Sequence, residues 1–301
     1  MTAAVPRYVI ISPVKDEERH VKLTLESVTA QTVKPVLWVI VDDGSTDGTA
    51  ALVRQYAERF PFIRLVEHRK SGARAAGSPV IRAFEHGRAT IGDVAYDFIV
   101  KLDCDLSFAP DYFETLFRRF DGDSRLGIAS GVYLETDAAG EWKTVAMPAY
   151  HAFGASKVVR RACFEQIGGF PTAPGWDTVD EIKALSRGWT TRHFADLPVQ
   201  HHKREGSGVG QWRTSRMHGE IYYVTGGDPL FFVFKTLHRV TARPVVTSAV
   251  ALALGYVNAV VRRKPRLVTA AEARVYRRML RQRLFRRGAD QAALVPLQSD
   301  R

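Results

Sequence analysis

Short apolar runs alternate with stretches of helical periodicity through the first third of the chain, and this alternation restricts the fold more than any other feature. The runs are residues 8–12, 36–41, 63–66 and 98–102. Between them, 17–30 spaces Val21, Leu25 and Val28 as a helix does, and 49–60 puts Leu52, Val53, Tyr56 and Phe60 on one side. Residues 73–89 read as helical despite Pro79. Strand and helix in strict alternation predict an α/β fold, with parallel strands covered by helices on both faces. Ligands of such sheets sit beyond the carboxyl ends of the strands. Acids occupy those ends here: Asp42-Asp43 after the second run, Asp103 and Asp105 after the fourth.

The second half changes character. Residues 132–147 read as a hairpin around Ala138-Ala139-Gly140, 156–167 and 179–187 as helices, and 190–194 as a late strand. The chain has 301 residues, of which 46% are apolar. That suits one large domain with an appendage. The sequence divides at 225/226, into a body (1–225) and a helical extension, apolar and then basic (226–301). Two cysteines, Cys104 and Cys163, offer neither a disulfide framework nor metal-ligand spacing. Strand-like sequence begins at Tyr8 without an apolar signal region, so export is not expected and a reducing cytoplasm is.

The net charge of +11 is concentrated in the tail. Between Arg262 and Arg287 stand eleven Lys and Arg against one acid, Glu272. Just before them, 244–261 is almost wholly apolar, and Pro229-Leu230-Phe231-Phe232-Val233-Phe234 adds an aromatic patch. Ala273, Tyr276, Leu280 and Leu284 then line one face of a basic helix. Apolar and basic segments side by side predict attachment to an anionic membrane surface through a helix lying in the interface. The alternative is a single span over 244–261, whose eighteen residues sit at the lower limit for crossing a bilayer. A cytoplasmic membrane face is the expected location. No zinc-finger spacing or nucleic-acid module accompanies the basic tail, so nucleic acid is not an expected partner.

Two carboxylates one residue apart at a strand end, Asp103 and Asp105, are able to grip a divalent metal; the alternative is two solvated acids in a turn. Cys104 between them reads as a small apolar group facing the sheet. Asp43 is placed to accept from a base N–H, while Ser45, Thr46 and Asp47 offer caps for the next helix, with Asp47 the simplest cap or loop stabiliser. Ser71-Gly72-Ala73-Arg74-Ala75-Ala76-Gly77 opens a helix with small residues, as a phosphate contact or as a plain turn.

These segments together resemble family 2 glycosyltransferases. Residues 10–18 (Ile-Ile-Ser-Pro-Val-Lys-Asp-Glu-Glu) are similar to their first-strand motif, and Val41 to Thr49 to their second. Lys101 to Asp105, followed by Pro110-Asp111, resembles their metal-binding motif, and Gly168-Gly169-Phe170 their glycine-rich turn. The motifs occur in the family's order over about residues 8 to 200. The resemblance implies a GT-A fold, a Rossmann-like mixed sheet flanked by helices, with a nucleoside-diphosphate-sugar donor and an inverting mechanism.

By the same resemblance, Pro13, Val14, Lys15, Glu17, Asp43, Arg74, Asp103 and Arg204 contact the donor. Asp103, Asp105 and one of His201 and His202 hold Mg²⁺ or Mn²⁺. Where the family carries an aromatic–Asn pair this chain has Lys15-Asp16, which replaces ring stacking on the base with a charge contact. Counting from Gly188-Trp189 puts the general base on Asp177, with Trp176 where the family has Glu; Asp180 and Glu181 are its rivals. Each also has a capping reading, on a helix starting at Thr178 with Asp177 as its N-cap. Gln211-Trp212-Arg213 does not reproduce the spacing of processive synthases, so single-sugar transfer to a lipid-linked or surface glycan acceptor is expected. Two other functions are open to this sequence. A nucleotidyltransferase would carry a glycine-rich basic loop where Pro13–Glu18 stands, and an inactive membrane adaptor would have no need of Asp103, Asp105 and Asp177.

Overall fold

Seven consecutive buried residues, Tyr8–Val14, make β1 the centre of the sheet. A run without a solvent face needs neighbours on both edges and layers on both sides. The computed structural model describes residues 5–67, 78–137, 139–203, 210–240 and 246–285. In it β1 lies between β2 (Leu37–Asp42) and β4 (Phe98–Leu102), parallel to both, and β3 (Ile63–Glu67) continues beyond β2. Helices α1 (Val21–Thr29), α2 (Thr49–Arg59) and α3 (Ser78–Arg88) alternate with these strands. Side chains divide between two cores with the strand period of two. Tyr8, Ile10, Trp38, Ile40 and Val100 enter one; Val9, Ile11, Val39, Val41 and Ile99 enter the other.

The rest of the sheet is mixed. Its order is β3-β2-β1-β4-β8-β6-β9-β5, with β7 (Trp142–Thr144) paired to β6 (Leu126–Thr136) alone. β8 (Ser156–Arg160) runs antiparallel to β4, and β9 (Thr190–His201) parallel to β6. β5 (Leu106–Phe108) is antiparallel to β9, with Leu106 opposite His201. That register brings the end of β9 beside Asp105. Helices α4 (Tyr112–Gly122), α5 (Arg161–Ile167) and α6 (Trp176–Ser186) complete the body.

Three expectations are corrected here. The helix expected over 156–167 begins only at Arg161; Ser156–Arg160 is a strand, because Val158 and Val159 are β-branched and fully buried between β4 and β6. The late strand extends seven residues past 194, through a bulge between Gly131 and Val132 of its partner. Helix α6 starts at Trp176 rather than Thr178, behind Gly175 in the left-handed region (φ 85°) with no side-chain cap. Asp177 is therefore not an N-cap, and no capping box is formed with Asp180 or Glu181.

Four helices follow: α7 (Gln211–Val224), α8 (Pro229–Val240), α9 (Thr247–Val261) and α10 (Ala270–Phe285). The α7–α9 crossing is close because each helix offers a glycine to the other's backbone. A Cβ on Gly219 would lie 1.9 Å from the Leu252 carbonyl oxygen, and one on Gly255 1.9 Å from that of Arg216. Helix α10 does not lay its apolar face on lipid. Ala273, Tyr276 and Leu280 are buried with Tyr150, Val179 and Ile182 of the body and Tyr222, Phe232 and Leu252 of the extension. One cluster thus spans the 225/226 boundary. Among the described residues no helix is long and apolar enough to cross a membrane.

Candidate active site

The loops after β1 and β2 are tied to each other before any ligand is considered. Asp16 accepts from the Thr46 N–H (2.8 Å), and its own N–H donates to Ser45 Oγ (3.0 Å). The Glu17 N–H donates to Thr49 Oγ1 (2.9 Å) and the Glu18 N–H to Asp47 Oδ2 (3.2 Å). These bonds hold Asp16 at φ 49°, a conformation that Asp and Asn tolerate better than other side chains. Asp47 is thus a loop stabiliser. Asp42 is buried and spent on Ser45, whose N–H (2.9 Å) and hydroxyl (2.5 Å) it accepts. Asp43 stays half-buried, its N–H bonded to the Val14 carbonyl (2.9 Å). Pro13, Val14, Lys15 and Asp43 therefore share one edge of the sheet. Glu17 pairs with Lys203 at 2.5 Å, joining the first motif to the segment after β9.

Asp103 and Asp105 lie at the same edge beyond β4. The Asp103 N–H donates to the Ala155 carbonyl (2.7 Å), and its Oδ1 accepts from Lys101 Nζ (2.6 Å). Asp105 is buried; its Oδ2 lies 3.4 Å from His201 Nε2. The other His201 nitrogen, Nδ1, meets Glu135 Oε1 at 2.9 Å. Burial alone would lower the His201 pKa, but the bonds to Asp105 and Glu135 hold it up at about 9. The same pairing outweighs burial at Asp105 and keeps its carboxyl below the ordinary value. His202 points elsewhere, with Nε2 2.8 Å from Ser107 Oγ and its ring against His20 and Trp142. Of the two histidines, the structure brings His201 to the carboxylates. Cys104 is buried in the core, and burial pushes its thiol well up, so it is inert packing.

The donor set fits a divalent cation at one telling atom. Asp105 Oδ1 is buried and has no hydrogen-bond partner among the described residues. A buried carboxylate oxygen left unsatisfied is costly, and a hard cation is a ligand that satisfies it. No three His, Cys, Asp or Glu side chains are already gathered as a cage among the described residues.

The three candidate bases differ sharply. Asp180 and Glu181 are buried (0% and 1% exposed) and engaged with Lys157, itself 0% exposed. Lys157 Nζ donates to Asp180 (2.9 and 3.1 Å), to Glu181 Oε1 (3.3 Å) and to the Asp177 carbonyl (2.8 Å). Glu181 also accepts from the Ala152 N–H (2.7 Å) and meets His151 Nδ1 (3.0 Å). Asp177 alone is half-buried, its carboxylate lying against Gly154. Lys101, Lys157, Glu135 and His151 are the residues that sequence reasoning missed. Lys101 had a signal, since it interrupts an apolar strand, whereas Lys157 lay in a segment that reads as helix. Arg74 and Arg204 lie outside the described residues.

Comparison with known proteins speaks to the family and the fold. Residues 9–171 match the model of glycosyl transferase family 2. The polyprenol monophosphomannose synthase of Mycolicibacterium smegmatis is 32% identical over 124 residues, 41% of this chain and 44% of that protein. Glycosyltransferase GlyA of Streptococcus pneumoniae is 26% identical over 110 residues, 36% of this chain and 14% of GlyA. The matches thus span less than half the length of these curated relatives. Among solved structures, mannosyltransferase PcManGT from Pyrobaculum calidifontis, in complex with GDP-Man and Mn²⁺, has a TM-score of 0.56 at 18% identity over 94% of this chain and 82% of that one. GalNAc-T7 with UDP, GalNAc and Mn²⁺ has a TM-score of 0.57 at 14% identity, over 80% and 52% of the two chains. At such identities the likeness concerns the fold, the mixed GT-A sheet flanked by helices. With its residues 9–171, more than half its length, matching the family model, the chain belongs to glycosyl transferase family 2.

Proposed function

We propose that this chain is a metal-assisted, inverting glycosyltransferase that moves one sugar from a nucleoside-diphosphate sugar to a hydroxyl of a lipid-linked or surface glycan. The observation that carries the reading is spatial. Asp43 follows β2, and Asp103 and Asp105 follow β4, the two strands that flank β1, all at one edge of the sheet, while Asp177 is a half-buried carboxylate that caps no helix. Asp43 accepts from the base, and Pro13, Val14 and Lys15 floor the nucleotide. Asp103 and Asp105 would hold Mg²⁺ or Mn²⁺, and His201 would join them on losing the proton that its bonds to Asp105 and Glu135 favour. A bound cation supplies neutralisation of the leaving diphosphate. PcManGT with GDP-Man and Mn²⁺, and the mannose-handling relative, support a nucleotide-sugar donor and a divalent ion.

Asp177 takes the proton of the attacking hydroxyl. Asp180 and Glu181 are poorly suited, being walled in and bonded to Lys157. Asp177→Asn is expected to lower transfer about 100- to 10,000-fold with folding and UDP or GDP binding intact; near-normal turnover would reject the assignment. A screen of UDP-, GDP- and dTDP-sugars, read as released nucleoside diphosphate with and without Mn²⁺, tests donor and metal together. Release is expected from one class only and only with the ion. Absence of release from every donor removes the enzyme reading.

The reading includes a place for the protein, the cytoplasmic face of a membrane with anionic lipid. Its support is the outer faces of α8 and α9, which remain apolar and exposed while α10 is packed inward.

A further inference from the structure

Lys157 is a fully buried ammonium on β8 that answers two buried carboxylates, Asp180 and Glu181. Its register partner across the β4–β8 ladder is a second buried lysine, Lys101. Paired residues share a face of the sheet, so both ammonium groups lie on one side, and one indole covers them. The Trp176 ring centroid is 5.5 Å from Lys101 Nζ and 5.3 Å from Lys157 Nζ, within cation–π range. Trp176 is the first residue of α6 and directly precedes Asp177. Lys101 holds Asp103, and Lys157 holds the carbonyl of Asp177.

We propose that Lys157 is the positioning residue of the transfer reaction. With the Trp176 ring over both it and Lys101, it fixes the first turn of α6, and thereby Asp177, relative to the Asp103 loop. The inference rests on the reading of Asp177 as the base. Its ground is the direction of the bonds. Asp180 and Glu181 anchor the ammonium from within α6, and the remaining contact goes to the backbone of the residue that does the chemistry. The backbone near Gly154 closes the other side, since a Cβ there would come within 3.3 Å of the Trp176 ring and 3.4 Å of the Asp177 carboxylate. The next residue, Ala155, receives the Asp103 N–H. A shift of about 1 Å in a reacting group is able to cost 100-fold in rate, and a flexible N-terminal turn would allow it.

The test separates positioning from stability. Lys157→Met alone strands two buried carboxylates and is expected to destabilise. Lys157→Met with Asp180→Asn removes one charge of each sign, leaves Glu181 its Ala152 and His151 partners, and is expected to melt close to wild type. Three quantities are then read on the double variant: hydrogen exchange at amides 176–179, affinity for UDP and GDP in the presence of Mn²⁺, and turnover on the UDP-, GDP- and dTDP-sugar panel. Faster exchange confined to that turn, unchanged nucleotide affinity and about 100-fold lower turnover support the proposal. Wild-type turnover, or unchanged exchange in that turn, overturns it. Trp176→Leu gives a second reading should the double variant fold poorly: lower kcat with unchanged donor KM is expected, and full kcat rejects the proposal. Asp177→Asn is assayed in parallel. If it is inactive while the double variant is fully active, only the positioning role fails; if it is active, the base assignment fails and this inference with it.

Discussion

Asp180 shows what one shared cation does to two buried acids. Lys157 serves both Asp180 and Glu181, and a single ammonium does not neutralise two carboxylates. Burial pushes Asp180 up to about 7 despite the lysine, whereas the carboxylates around Lys157 outweigh burial and keep its pKa raised. The sign follows from linkage. The unfolded Asp binds its proton only below about 4, and the folded one up to about 7. This group's contribution to stability is therefore full below pH 4 and is lost as pH rises to about 7. Urea midpoints of wild type and Asp180→Asn, compared from pH 4 to pH 8, should show wild type losing stability relative to the variant across that window. A constant difference would mean that Asp180 stays ionised throughout. The residue scale also marks the limit of sequence reading. Asp43, Asp103 and Asp105 were legible because they end apolar strands. Lys101 was visible as a charge within a strand, but Lys157 was hidden in a segment that reads as helix, and their shared indole comes from a helix that follows Lys157 by nineteen residues. Asp177 was proposed by a count from Gly188-Trp189, and its capping alternative fell only when the helix proved to start at Trp176, behind Gly175.

Elements were legible where one face or one period dominates. β1, β2 and β4 are wholly buried and read as strands from composition alone. Ser156–Arg160 misled because a five-residue strand running straight into a helix has no turn residue to mark the join. The α7–α9 crossing was not legible, since two glycines thirty-six residues apart have no common pattern until the helices meet. Their meeting makes a firm prediction. A side chain at 219 or 255 would strike backbone, not a flexible tip, so the helices must part. Gly219→Val and Gly255→Val should each destabilise by about 1–3 kcal/mol, as overpacked cores do. Thermal melting checks this, and a melting temperature unchanged in both would show that the crossing is loose. An acid anchors the next helix. Asp228 is buried, caps α8 through the Phe231 N–H (3.0 Å) and receives Arg281 Nε of α10 (2.6 Å). Burial raises its pKa, but these bonds outweigh that and hold it below the ordinary value.

At the scale of the whole molecule, the apolar and basic tail has one face other than the expected one, that of α10. The apolar stripe of α10 is inward, and the faces left outward belong to α8 and α9. Leu230, Val233, Phe234 and Leu237 recur at helical spacing on α8, and Val250, Leu254, Val257 and Val261 on α9, all at least 43% exposed. The two helices pack through Phe232 stacked on Tyr256 at 4.2 Å, away from those stripes. Among the described residues, ten of the fourteen exposed large apolar side chains lie between 230 and 261, so the exposure is concentrated on one part of the chain rather than scattered. Arg262 and Arg263 are exposed where α9 ends, and Arg274 and Arg278 on α10. A basic rim beside an apolar face matches an anionic bilayer better than a second copy of the same face, whose arginines would repel. Interfacial docking needs no spanning helix: α9 has 15 residues, about 22 Å at the helical rise, short of a bilayer core of about 30 Å. Full-length protein should therefore sediment with phosphatidylglycerol-containing vesicles at physiological salt and far less with pure phosphatidylcholine. Phe234→Ser, Leu254→Ser and Val257→Ser combined should weaken that partitioning at least about 100-fold, since each apolar side chain buried in lipid contributes on the order of 1.5–3 kcal/mol. Melting should be unchanged, because none of the three is in the core. Wild-type protein left in the supernatant would end the membrane reading, and concentration-dependent dimers abolished by the same three substitutions would identify the face as a contact between copies.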